Sequence, residues 1–179
     1  MKVGLVLEGG AMRGMYTAGV LDVFLDNDIK VDGIVGVSAG VLFGVNYVSK
    51  QRGRTIRYNK KYIKDKRYMG MRSLLRTGNI INKDFAYYEL PQKLDIFDQE
   101  TFEKSDIDFY ATITNVDTGK AEYIKLKNVF EQMEVLRATS AMPCAGCWAN
   151  RAPRCCAARA WRTLSSTALK SARRSTTAK

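Results

Sequence analysis

The stretch VDGIVGVSAGVLFG, residues 31–44, carries a serine between two glycines in the pattern G-x-S-x-G. Ahead of the serine, GIVGV is a short apolar run with turn signals on both sides, which predicts a strand. Behind it, AGVLFGVNYVSK predicts a helix buried on most of its surface. A strand-to-helix turn with small flanking residues projects a serine Oγ, and Gly36 and Gly40 remove side chains that would clash across it. Ser38 is therefore a candidate nucleophile; the plain alternative is a serine in a glycine-rich turn with no chemistry. A nucleophilic serine needs a proton acceptor, and the chain has no histidine. A Ser–His–Asp triad is excluded. A carboxylate in direct contact with the hydroxyl, or a lysine of lowered pKa, remains.

Working outward, KVGLVL (residues 2–7) is another apolar run ending in glycines, as buried parallel strands do. In MRGMYTAGVLDVFLDND the apolar residues recur at helical spacing. This strand–helix–strand–helix start predicts a right-handed parallel unit with helices on both faces of the sheet. Between the first strand and the first helix lies EGGAMRG, residues 8–14. Backbone N–H groups freed by consecutive glycines at a helix N-terminus can face a developing oxyanion, and Arg13 adds a positive charge. Such a loop could equally hold a phosphate, but Ala11 breaks the full G-x-G-x-x-G fingerprint. Further on, DFYATITNV and AEYIKL read as two strands joined by a DTGK hairpin turn. VFEQMEVLRATS reads as a short helix ending before Pro143.

The chain of 179 residues carries a net charge of +11, and the excess is local. From Cys144 onward there are six arginines, two lysines and no acid, and all four cysteines fall in this region. Residues 144–179 have no clear period-2 strand and no aliphatic stripe, so they are read as a basic, Cys/Ala/Arg-rich tail that is disordered or poorly packed. Cys144, Cys147, Cys155 and Cys156 are weak zinc candidates, because adjacent cysteines suit a tetrahedral site poorly. The stretch 50–76 is basic with interleaved Tyr58, Tyr62 and Tyr68. It reads either as a solvated helical face or as a surface for peripheral contact with anionic lipid. A nucleic-acid partner is not expected. No run reaches the ~20 apolar residues of a membrane-spanning helix, and nothing addresses the chain for export, so cytoplasm is the default location.

Taken together, LEGGAMRGMYTAGVLDVF, GIVGVSAGVLFG, TNVDTGK and RATSAMP resemble the patatin-like phospholipases, specifically the bacterial branch, in order from residue 1 to about 143. The resemblance implies an α/β/α sandwich with a mostly parallel central sheet, and a Ser–Asp dyad that hydrolyses acyl esters of lipids without metal or cofactor. Carried over, it makes Ser38 the nucleophile, and the backbone N–H groups of Gly9, Gly10 and Ala11, with Arg13, the oxyanion hole. The family's dyad aspartate follows the SAMP-like segment in a D-G-G or D-G-A turn. Here the last acid of any kind is Glu134, and no D-G-[GA] exists. The domain at 1–143 is thus read as incomplete, and residues 144–179 as a reading-frame shift or an authentic divergent tail. Lacking its base, the chain as written is expected to show little activity.

Overall fold

Short apolar runs closed by glycine form the parallel strands. β1 (Gly4–Leu7) pairs in parallel with β2 (Gly33–Gly36), Leu7 standing opposite Gly36. β2 pairs in parallel with β3 (Asp108–Thr114), Ile34 opposite Phe109. β4 (Ala121–Leu126) returns antiparallel along β3, from Thr114 opposite Ala121 to Phe109 opposite Leu126. Sheet order follows chain order, β1-β2-β3-β4. The computed structural model describes residues 1–65, 67–68, 81–115 and 117–141. The cysteine pairs, the tail at 144–179 and part of the basic stretch 50–76 lie outside the described residues.

The hairpin turn is tied by Asn115, whose Oδ1 accepts from the N–H groups of Asp117 and Thr118 at 2.9 and 3.1 Å. Gly119 closes the turn at φ 70°. A 3₁₀ turn (Ala11–Gly14) leads into α1 (Met15–Asp26). α2 (Ala39–Val48) follows β2, and α3 (Arg54–Tyr62) takes up the first part of the basic stretch. Next come a π-helix (Asp84–Leu94) and the short α4 (Gln99–Glu103), before α5 (Met133–Thr139). The π-helix contains Pro91, which has no N–H to give an α-helical ladder. α4 opens on Asp98, whose carboxylate accepts from Thr101 N at 2.9 Å and Thr101 Oγ1 at 2.7 Å.

This is a mostly parallel sheet with flanking helices, an α/β/α arrangement of which the described residues supply the sheet and one helical layer. Leu7, Ile34, Phe109, Ala111 and Ile113 on one sheet face join Val41 and Val45 of α2 and Met133, Val135 and Leu136 of α5 in the main core. A second cluster, including Ala18, Phe43, Tyr58, Tyr62 and Phe85, ties α1, α2 and α3 to the π-helix. On the opposite sheet face Val6 and Tyr123 are 77% and 62% exposed. Successive right-handed crossovers that step in one direction put their helices on one side. Helices on both faces, as the opening pattern predicts, are therefore met on one face among the described residues.

In the described part of the basic stretch the interleaved tyrosines turn inward. Tyr58, Tyr62 and Tyr68 are buried. Arg57 forms a two-pronged pair with the Asp95 carboxylate at 2.9 and 2.8 Å, and Arg52 pairs with Asp26. Arg54, only 4% exposed, donates to Asn46 Oδ1 at 2.6 Å and to the Asp95 carbonyl. Three arginines of the stretch thus find acceptors within the fold, of which only Arg54 is buried.

α2 lies so close to β1 that a Cβ at Gly40 would be driven into the Leu7 carbonyl, whereas a Cβ at Gly19 in α1 meets nothing within 4 Å. Gly40→Ala is expected to cost about 3 kcal/mol through backbone displacement. Gly19→Ala should instead stabilise by up to about 1 kcal/mol through helix propensity. Urea unfolding of the two variants beside the parent chain checks both signs.

Candidate active site

Ser38 is the second residue of a two-residue turn, Val37 and Ser38, between the end of β2 and the first residue of α2. Its backbone is at φ 53°, ψ −120°. A non-glycine residue held there costs on the order of 1–3 kcal/mol, so its neighbours must impose the conformation. They do so from three sides. Val37 N donates to the Leu7 carbonyl at 3.0 Å, which fixes the turn to the end of β1. Val41 N and Leu42 N donate to the Ser38 carbonyl at 3.0 and 3.1 Å, which starts the helix. Ser38 N donates to Thr139 Oγ1 at 2.8 Å, and that hydroxyl donates to the Thr112 carbonyl at 2.6 Å. The last residue of α5 thereby clamps the turn to β3. Gly36 serves the same turn: a Cβ there would sit 3.0 Å from Val41 N.

The glycine-rich loop lies against this turn. A Cβ on Gly9 would stand 3.1 Å from the Ser38 Cβ and 3.4 Å from the Val37 carbonyl. Gly14 seats the far end of the loop on α2, where a Cβ would meet the Phe43 ring at 2.9 Å and Ala39 Cβ at 3.0 Å. Between these anchors Ala11 takes a positive φ of 47°. The Gly10 carbonyl accepts from Arg13 N at 3.0 Å, while the N–H groups of Gly9, Gly10 and Ala11 donate to nothing among the described residues. Three amide donors and an exposed Arg13 thus belong to a loop that touches the serine's own turn. Of the residues singled out in the sequence, Ser38, Gly36, Gly40 and Gly9 are in direct juxtaposition. Gly10, Ala11 and Arg13 continue the same loop.

Thr139 is the contributor that sequence reasoning missed. It lies within RATSAMP, yet only the folded chain brings residues 38, 112 and 139 together. Among the described residues no acid side chain is hydrogen-bonded to the Ser38 hydroxyl. Asp32 caps the opposite end of β2, accepting from Val3 N at 2.6 Å. Glu134 points into an ion cluster with Arg137 and Lys83. Burial alone would push its carboxyl up, but the hydrogen bonds from Arg137 and Lys83 outweigh that and hold it below the ordinary value. Among the described residues no group of three His, Cys, Asp or Glu side chains is placed to hold a metal, and no helix is long and apolar enough to cross a membrane.

A mostly parallel sheet, a serine in a strained strand-to-helix turn and a glycine loop folded over it define the class of α/β proteins whose sites lie beyond the C-terminal ends of the strands. The chain belongs to the patatin-like phospholipase family, whose model matches residues 5–146. It is also similar to the uncharacterized protein YjjU of Escherichia coli (strain K12), with 28% identity over 151 residues. That match covers 79% of this chain and 40% of the relative, so the chain spans about two fifths of the length of the curated relative it matches.

Thr139→Val keeps the shape of the side chain but leaves the Ser38 N–H and the Thr112 carbonyl without a partner. It should cost about 2 kcal/mol in chemical unfolding, and Thr139→Ser should recover most of the loss. Glu134 generates a pH prediction. Because its folded pKa is depressed, its stabilising effect is present above the unfolded carboxyl value and is lost as pH falls through the folded one. Glu134→Gln should therefore lower the unfolding temperature at pH 7, by an amount equivalent to about 1 kcal/mol or less. The gap to the parent should narrow as pH falls below the ordinary carboxyl value and through the depressed one.

Proposed function

We propose that the domain at residues 1–143 is a serine acyl hydrolase acting on phospholipid or related acyl esters, with Ser38 Oγ as the nucleophile. The reading is carried by one observation: a serine forced into a strained turn, with three amides that have no partner among the described residues on the loop packed against it. Ser38 Oγ attacks the ester carbonyl, and the negative charge that develops on the carbonyl oxygen is met by the N–H groups of Gly9, Gly10 and Ala11, with Arg13 adding charge nearby. Collapse of the tetrahedral species expels the alcohol and leaves an acyl-serine, which water then cleaves.

In this chain the Oγ proton passes to water and the leaving alkoxide takes its proton from water, because no side-chain base is hydrogen-bonded to Ser38 Oγ among the described residues. The sequence has no histidine and no acid after Glu134. Without the base, the amide donors and substrate binding alone support on the order of 10³–10⁴-fold acceleration over water. We read residues 144–179 as foreign to the hydrolase domain, and a segment carrying D-G-[GA] in their place should restore turnover.

A fluorophosphonate reports the nucleophile without needing turnover. The chain should be labelled slowly at Ser38, and Ser38→Ala should abolish the labelled peptide in mass spectrometry. Labelling that persists at another residue in Ser38→Ala overturns the assignment. Absence of all labelling, together with binding to anionic vesicles, would favour a non-catalytic lipid-surface protein.

A further inference from the structure

Helix α3 begins at the end of its neighbours that lies away from Ser38. Gly53 N, just ahead of it, donates to Asp22 Oδ1 in the second half of α1 at 2.9 Å. Thr55 Oγ1 accepts from Asn46 in the second half of α2 at 3.0 Å. The last residue of α3, Tyr62, shares a buried cluster with Ala18 of α1 and with Ala39, the first residue of α2. Tyr62 lies seven residues beyond Thr55, and Ala39 seven before Asn46, so each helix covers about 10 Å between these points. α3 therefore runs back along α1 and α2. Its C-terminal end stands level with Ser38 and with the glycine loop that leads into α1.

The side chains at that end combine exposed apolar groups with unanswered cations. Tyr16, the second residue of α1, is 83% exposed, and Ile63, directly after α3, is 42% exposed. Lys60, Lys61 and Lys64 surround Ile63 in the chain and are all exposed. Ion pairs take up Lys30, Lys83, Lys104 and Lys125, but none of these three lysines among the described residues. The neighbouring acids Asp65 and Glu89 are answered by Arg67. Arg13 of the glycine loop adds a fourth cation. Glu8 in the same loop and Asp84, beside the Phe85 ring that meets Tyr62, offset two of the four charges, and the end stays positive.

We propose that this end of the molecule is a docking surface for an anionic lipid bilayer. Tyr16 and Ile63 enter the headgroup layer, and Lys60, Lys61 and Lys64 meet lipid phosphates. Its purpose rests on the reading of Ser38 as acting on lipid esters, because docking in this pose turns the serine turn and the glycine loop toward the bilayer. Free phosphate or nucleic acid would engage the lysines but give Tyr16 and Ile63 nothing to do. Each cation held near a charged bilayer contributes about fivefold in affinity.

The test is co-sedimentation of the full chain with vesicles of equal parts phosphatidylcholine and phosphatidylglycerol. The basic residues 144–179 are common to every variant, so the comparison is between variants. Lys60→Glu, Lys61→Glu and Lys64→Glu together should weaken binding at least tenfold more than an equal charge change at the opposite end. That control is Lys93→Glu, Lys104→Glu and Lys127→Glu, at positions after α4, after β4 and at the end of the π-helix. Tyr16→Ser with Ile63→Ser should weaken binding at least fivefold while the unfolding temperature stays that of the parent. Equal losses in the two triple variants, no loss in the Tyr16 and Ile63 variant, or a parent that binds pure phosphatidylcholine vesicles as well, overturns the surface. Labelling of Ser38 in the parent by a small water-soluble fluorophosphonate judges the nucleophile separately. A labelled Ser38 with equal losses in the triples sinks the surface and keeps the hydrolase. The expected vesicle results without labelling keep the surface and remove its catalytic purpose.

Discussion

Helix α2 can approach the end of β1 only because residue 40 has no side chain. Any Cβ at that point enters the Leu7 carbonyl. The contact brings the first turn of the helix against the strand that feeds the glycine loop, so Ser38 and Gly9 become neighbours although 28 residues separate them. Gly44, one turn on, extends the same close approach, where a Cβ would sit 2.7 Å from Leu7 Cδ1 and 3.0 Å from the Phe109 ring. Gly40 and Gly44 thus form the surface by which α2 beds onto the sheet. The site is a consequence of that bedding.

Strain at Ser38 is sustained by connections that reach three strands. The Leu7 carbonyl of β1 holds Val37, just beyond the end of β2, and the Thr139 hydroxyl joins the Ser38 amide to the Thr112 carbonyl of β3. Thr139 is itself buried, at 7% exposure, on a helix whose Met133, Val135 and Leu136 sit in the main core. A conformation costing on the order of 1–3 kcal/mol is therefore held by groups that core packing has already fixed. The Glu134 cluster with Lys83 and Arg137 adds a second anchor from α5 to the start of the π-helix.

The parallel strands and the serine turn were legible because each is a local pattern: an apolar run closed by glycine, then a helix opening on small residues. The hairpin was legible for the same reason, since Asn115 and Gly119 supply turn chemistry within five residues. The π-helix was not, because DFAYYELPQKL carries Pro91 and follows no 3.6-residue period. For α4 a signal existed in Asp98 and Thr101, a capping pair three residues apart that the reading passed over. In the described part of the basic stretch, composition hid the helical period. Arg54, Tyr58 and Tyr62 recur every four residues, which is the mark of a buried helical face, and the structure buries all three. Thr139 was out of reach, because its value lies in two partners 101 and 27 residues away.

The account turns on where the charge of a tetrahedral species would go. The most direct test is a crystal structure of the chain after reaction with an alkyl fluorophosphonate. The account predicts a phosphonate bonded to Ser38 Oγ, with its phosphoryl oxygen within hydrogen-bond distance of the amides of Gly9, Gly10 or Ala11. A phosphonate on Ser38 whose oxygen faces solvent, with those amides untouched, would contradict it.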